Sequence, residues 1–223
     1  MIKLVLLDVD GTITDPGRLI STKAVEAIRK VQKDGVAVSL ASGNVVPVMY
    51  SLKTFIGIGA PVFAENGGAM FQNDEIFPFF SMEGPKRLFD RLEEEGKLKG
   101  ILSNKWRLTS MAYAPIPQYA LEVSQIAEKE GLVTVDSGFS WHLLNKGQDK
   151  GFALEKLREI YSLDYEEILV MGDSYNDAPM FMKNVVKVVP ANGEESLKEM
   201  ADHIAKEGNG DGVAEILLNL RSI

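Results

Sequence analysis

Short apolar runs that stop abruptly at polar residues, each separated from the next by a helical segment, constrain the fold of this 223-residue chain more than any other feature. The runs are "KLVLLDV" (3–9), "VAVSLAS" (36–42), "APVFAENGG" (60–68), "EEILVMGDS" (166–174) and "VVKVVP" (185–190). Continuous β-branched and aliphatic runs of this length suit strands buried on both faces, and strands alternating with helices suit a parallel sheet. The helix over 21–35 is well delimited, with Ser21 as N-cap, apolar Val25, Ile28 and Val31, and Gly35 just past its end. A second helix is expected after Asn44, with Pro47 in its first turn, where a missing N–H costs nothing. The pattern changes in the middle of the chain. Two charged helical stretches, "KRLFDRLEEEG" and "PQYALEVSQIAEKEG", alternate with "LVTVDSG" and "FSWHLLN" before the first rhythm returns at "KGFALEKLREIY". The fold class expected is α/β: a Rossmann-like, doubly wound parallel sheet over 1–80 and 149–223, with a smaller α+β unit inserted over 81–148.

Ligands of open parallel sheets gather at the carboxyl ends of the strands, so the residues at those ends indicate the chemistry. The first run ends in Asp8, Asp10 and Thr12, the second in Ser42, Gly43 and Asn44, and the later one in Asp173, Ser174, Asn176 and Asp177. Four carboxylates on one sheet edge repel one another unless a cation neutralises them, and an all-oxygen set suits Mg²⁺ with a substrate phosphate as a further ligand. The chain has no cysteine and only two histidines, which excludes thiolate sites and argues against zinc or haem. Lys150 begins the helix after the insertion, where its ammonium would draw a carboxylate and a phosphoryl group together. A formal charge of −8 argues against nucleic-acid binding, and no apolar run is long enough for a signal peptide or membrane span. A cytoplasmic protein acting on a small anionic ligand is expected, with a homodimer left open.

In sequence order, Asp8-Val9-Asp10-Gly11-Thr12, Ser42 in "ASGN", Lys150 in "DKGFAL" and Gly172-Asp173-Ser174-Tyr175-Asn176-Asp177 resemble the four motifs of the haloacid dehalogenase superfamily of phosphohydrolases. An insertion between the second and third motifs resembles the subgroup with an α/β cap there, and the short cap and "SGN" most resemble the archaeal phosphoglycolate phosphatases. Sugar-phosphate phosphatases of the Cof and sucrose-phosphatase type are the alternative; Asn44, where many of them carry an arginine, weakens it. The resemblance implies Asp8 as nucleophile and Asp10 as acid and base. It implies Mg²⁺ held by Asp8, the Asp10 backbone carbonyl, Asp173 and Asp177, with Ser42, Gly43, Lys150 and Thr12 about the phosphoryl group and Asn176 orienting its loop. A phosphomutase and a non-catalytic phospho-ligand binding module are rival readings, and Asp10 argues against the second, because binding alone needs no acid. Within the insertion, His142 beside Trp141 reads as a half-buried structural pair in preference to a substrate contact, and Lys105, Arg107 and Lys146, any of which could bind a substrate carboxylate, each read individually as surface charges.

Overall fold

A computed structural model describes all 223 residues. The chain begins with β1 (Leu4–Leu7), α1 (Thr22–Lys33), β2 (Ala37–Leu40) and α2 (Val46–Ile56), followed by β3 (Val62–Ala64), β4 (Ala69–Gln72) and β5 (Glu75–Pro78). It continues through α3 (Glu83–Glu94), β6 (Leu98–Gly100), β7 (Met111–Pro115), α4 (Ala120–Lys129), β8 (Leu132–Asp136) and β9 (Trp141–Asn145). It closes with α5 (Lys150–Tyr161), β10 (Ile168–Met171), α6 (Ala178–Phe181), β11 (Val186–Val189), α7 (Glu195–Lys198), β12 (His203–Ile204) and α8 (Asn209–Leu218). The cap read from the sequence is in place, with Ser21 accepting from the Ala24 N–H at the start of α1, and the structure adds a second, Asp149, which accepts from the Phe152 N–H at the start of α5.

The main sheet is parallel, in the order β12-β11-β10-β1-β2. Its two faces bury different halves of each strand, as the pleat requires. Val5 and Leu7 of β1 join the cluster with Ile28, Met49 and Val213, while Leu4 and Leu6 join the one with Leu154, Leu157 and Phe181. Because β2 lies on one side of β1 and β10 on the other, the winding reverses at β1, which is where a doubly wound sheet opens a crevice.

Residues 60–68, expected as one more strand of the parallel rhythm, depart from it. β3 joins the main sheet only through a single parallel bridge, Ala41 to Phe63, and heads a three-stranded antiparallel ribbon, β3-β4-β5, that the sequence did not suggest. The chain turns out of β3 through three consecutive residues in the left-handed region, Glu65, Asn66 and Gly67. A third sheet, antiparallel in the order β6-β7-β9-β8, carries α3 and α4 against one face, where Leu88, Phe89, Leu92, Met111, Tyr113, Val123 and Leu143 pack together. The alternate residues Ala112 and His142, paired across β7 and β9, lie on its other face. No helix is long and apolar enough to cross a membrane.

Candidate functional site

The parallel register brings the strand ends together. Leu7 pairs with Leu40 on one side and Met171 on the other, and the ladder runs one residue further, with the Asp8 N–H donating to the Met171 carbonyl at 2.9 Å. Asp8, Ser42 and Asp173 therefore emerge side by side. Asp10 lies beyond the strand, in a turn, so Gly11 rather than the pleat sets its placement. Gly11 has φ +89°, and a Cβ there would stand 2.3 Å from an Asp173 carboxylate oxygen, so no other residue fits. Gly172 is constrained by space alone, since a Cβ there would meet the Asp177 carboxylate at 2.4 Å.

Lys150 lies between two carboxylates, with Nζ 2.5 Å from Asp8 Oδ1 and 2.5 Å from Asp177 Oδ1, and all three side chains are buried. The other oxygen of Asp177 accepts from the Asp173 and Ser174 N–H groups at 3.0 and 3.2 Å. Asp8, Asp173 and Asp177 each offer an oxygen within 4.8 Å of the others. Burial raises the Asp8 pKa well above the usual carboxylate range; Lys150 opposes this, and Asp177 and Asp173 add to it. Asp173 is pushed up to about 6, first by burial and then by Asp177. Burial alone would lower the Lys150 pKa, but the charges of Asp177 and Asp8 outweigh it and raise it. Three clustered carboxylates thus face one ammonium, and the positive charge the cluster lacks is what a divalent cation with oxygen ligands supplies. On this ground the donor set fits such a metal.

Above this floor lies a cavity of about 280 Å³ whose lining includes Asp8, Asp10, Ser42, Gly43 and Asn44 from the strand ends, Asn176 from the loop after β10, and Arg107 and His142 from the antiparallel layer. A larger cavity, about 760 Å³, touches Lys150 and Asn176 but neither Asp8, Asp10 nor Ser42, so it lacks the paired carboxylates. Asp10 is held by three donors: Asn44 Nδ2 at 2.6 Å, Ser42 Oγ at 3.5 Å and Arg18 Nε at 3.0 Å. Asn44, the departure from the sugar-phosphatase pattern, therefore orients Asp10. Thr12 is fully buried and donates to Asp173 at 2.9 Å instead of opening onto the cavity, because the turn at Gly11 points its hydroxyl toward the loop after β10. Asn176 accepts from Ser174 Oγ at 2.7 Å, which suits a residue that orients that loop.

Sequence reasoning missed one neighbour of this site, Arg18, and preferred structural or surface readings for two others, Arg107 and His142. Arg18 has no local pattern that marks it, yet it pairs with Asp10 and lies 4.9 Å from the Phe139 ring, a contact between the parallel-sheet body and the antiparallel layer. Arg107, expected on the surface, is 8 % exposed, because the turn before β7 folds it inward against the Gly43 carbonyl at 3.1 Å. His142 is 2 % exposed rather than half-buried, with Nε2 at 3.1 and 3.2 Å from the Ser137 and Ser140 hydroxyls.

Glu65 joins the two layers. Its buried carboxylate accepts from the N–H groups of Leu108 and Thr109 and the hydroxyls of Thr109 and Ser110, at 2.6 to 3.1 Å. A carboxylate with this many donors holds a left-handed backbone that would otherwise relax. In Glu65→Gln an amide donor faces those N–H groups, a loss of about 1–3 kcal/mol, and thermal denaturation is expected to show Tm lower by roughly 5 °C.

The haloacid dehalogenase-like hydrolase family model matches residues 5–108 and 113–217. A Thermoplasma volcanium protein named phosphoglycolate phosphatase is 51% identical over 217 residues, covering 97% of each chain. A protein of the same name from Methanopyrus kandleri is 33% identical over 228 residues, covering 99% of this chain and 97% of its own. Among solved structures, a Thermoplasma acidophilum protein superposes with a TM-score of 0.96 at 47% identity over the whole of both chains. A haloacid dehalogenase-like hydrolase from Bacteroides thetaiotaomicron, at 22% identity and a TM-score of 0.84, covers 99% of this chain and 100% of its own and shares the fold.

Proposed function

The chain belongs to the haloacid dehalogenase-like hydrolase family, and from that premise we propose that it is a phosphatase of small phosphomonoesters, cleaving 2-phosphoglycolate to glycolate and phosphate through an aspartyl phosphate on Asp8. The observation that carries the reading is the Asp8 carboxylate, held by Lys150 in a cavity that Asp10 and Ser42 also line. The name of the relatives at 51% and 33% identity supports the substrate.

In this reading an Asp8 oxygen attacks phosphorus while the bond from phosphorus to the ester oxygen breaks, and Asp10 gives its proton to the departing glycolate oxygen. Asp10 then takes a proton from water as that water attacks phosphorus, and the Asp8–phosphorus bond breaks to release phosphate. Ser42, the Gly43 backbone and Lys150 bind the phosphoryl oxygens. Thr12 steadies Asp173, and Asn176 steadies the loop after β10. Asp8, Asp173, Asp177 and the Asp10 carbonyl would hold Mg²⁺, which neutralises phosphoryl charge in the transition state. Residues 81–148 serve as a cap over the core of 1–80 and 149–223, excluding water and bulky esters. The reading needs neither nucleic acid nor membrane and assigns the enzyme to the cytoplasm.

A phosphomonoester panel tests it. The kcat/KM for phosphoglycolate is expected to exceed that for hexose 6-phosphates and nucleotides by roughly tenfold or more, with turnover abolished by chelator and restored by Mg²⁺. A preference for hexose phosphates would transfer the assignment to the sugar-phosphate phosphatases. Tight binding without turnover of any ester would make the chain a phospho-ligand binding module.

A further inference from the structure

A buried guanidinium carrying its charge into a cavity with no carboxylate paired to it calls for an anion from outside the chain. Arg107 is in that position. It is more than nine-tenths buried, lines the cavity above Asp8 and forms no ion pair. Of the five N–H donors of a guanidinium, one goes to the Gly43 carbonyl at 3.1 Å and one to Ser110 Oγ at 3.0 Å, and Nε has no partner. Two further polar atoms on residues that line this cavity are also buried without partners, Ser103 Oγ and His142 Nδ1. All three come from the antiparallel layer, Ser103 and Arg107 between β6 and β7 and His142 in β9, whereas Asp8, Asp10 and Ser42 come from the strand ends of the parallel sheet. The cavity is therefore two-sided, with the phosphoryl chemistry on one side and unpartnered polar groups, the Arg107 guanidinium among them, on the other.

We propose that Arg107 is the specificity-determining residue of this enzyme, receiving the substrate's carboxylate while Asp8 and Ser42 engage its phosphate, so that the site selects short phosphomonoesters that carry a carboxylate. The inference rests on the phosphatase reading above and deepens it. Burial lowers the Arg107 pKa to about 10 and the Glu65 carboxylate pulls it back up, so the guanidinium stays protonated at neutral pH. Burial and the charges of Arg107 and Lys150 hold the His142 pKa well below its ordinary value, which keeps that ring neutral and leaves Arg107 the cation of this side. Ser110 links the group to the rest of the antiparallel layer: its hydroxyl accepts from Arg107 and donates to Glu65 at 2.6 Å. Gly43 keeps the space clear, since a Cβ there would stand 3.3 Å from His142 Nε2 and 3.4 Å from the Asn66 amide. A guanidinium that only braced the loop after β2 would discriminate nothing in the substrate.

The test compares phosphoglycolate with ethyl phosphate, the same ester with methyl in place of carboxylate. The wild-type enzyme is expected to prefer phosphoglycolate, and Arg107→Met to lower the ratio of the two kcat/KM values by on the order of 10²-fold, with Arg107→Lys intermediate. A wild-type enzyme with no preference removes the substrate reading together with this inference. A wild-type preference that survives undiminished in both variants removes only the inference and leaves Arg107 a structural brace. If neither variant folds, the Arg107 Nε–H resonance of the Asp8→Asn protein decides: it is expected to shift with phosphoglycolate and not with ethyl phosphate, and equal shifts overturn the assignment.

Discussion

Asp8→Asn lowers kcat for phosphomonoester hydrolysis by on the order of 10⁴-fold or more while leaving the protein folded. The amide keeps the shape of the carboxylate, and its oxygen can still accept from Lys150 as Asp8 Oδ1 does, but it is a poor nucleophile toward phosphorus. Lys150 keeps its contact with Asp177, so the buried ammonium remains paired. The loss therefore falls on the chemical step. Phosphoglycolate still binds, and an unchanged melting curve distinguishes this result from unfolding.

Lys150→Met combines loss of activity with a conditional loss of stability. The side chain is 1 % exposed and is the ammonium within ion-pair distance of both Asp8 and Asp177. Removing it leaves two buried carboxylates beside Asp173 with no compensating charge. Deleting one partner of a buried pair costs about 3–5 kcal/mol, which for a chain of this size lowers Tm by on the order of 10 °C. A ligand that binds only the folded state adds stability in proportion to the logarithm of its concentration over Kd. Mg²⁺ is accordingly expected to recover more Tm in Lys150→Met than in the wild type, as measured by thermal denaturation in chelator and in millimolar Mg²⁺. Turnover does not return with the Tm, because the metal does not replace the group that holds Asp8 and a phosphoryl oxygen.

The residues that carry these predictions were legible in the sequence because each closes a buried run. An aliphatic strand ending at Asp8, another at Ser42 and a third at Asp173 have neighbouring ends once the sheet is parallel, and the register delivers this. Lys150 was legible for a similar reason, as the first residue of a well-capped helix. The ribbon after β3 was not: β5 is exposed along its whole length, so it lacks the alternation that marks a half-buried strand, and the left-handed turn at Glu65 and Asn66 is set by hydrogen bonds to residues more than 40 positions away. Thr12 was placed about the phosphoryl group from its motif, whereas its hydroxyl turns to Asp173 because Gly11 bends the chain at positive φ. Arg18 escaped, and Arg107 and His142 were given the blander of two readings, because a cation or imidazole in a polar segment looks the same whether it faces water or a cavity. What distinguishes Arg107 from Lys105 is the antiparallel layer closing over the strand ends, a packing relation between segments rather than a local pattern.

The central claim, that Asp8 becomes phosphorylated during turnover, is tested most directly by acid-quenching the enzyme during steady-state hydrolysis of phosphoglycolate with Mg²⁺ and weighing its peptides. The tryptic peptide 4–18, which holds Asp8 and Asp10, is expected to gain the mass of one phosphoryl group, located on Asp8, that hydroxylamine removes and that is missing from Asp8→Asn. Rapid turnover with that peptide unmodified at every quench time, or with the phosphoryl group on any other residue, would contradict the account.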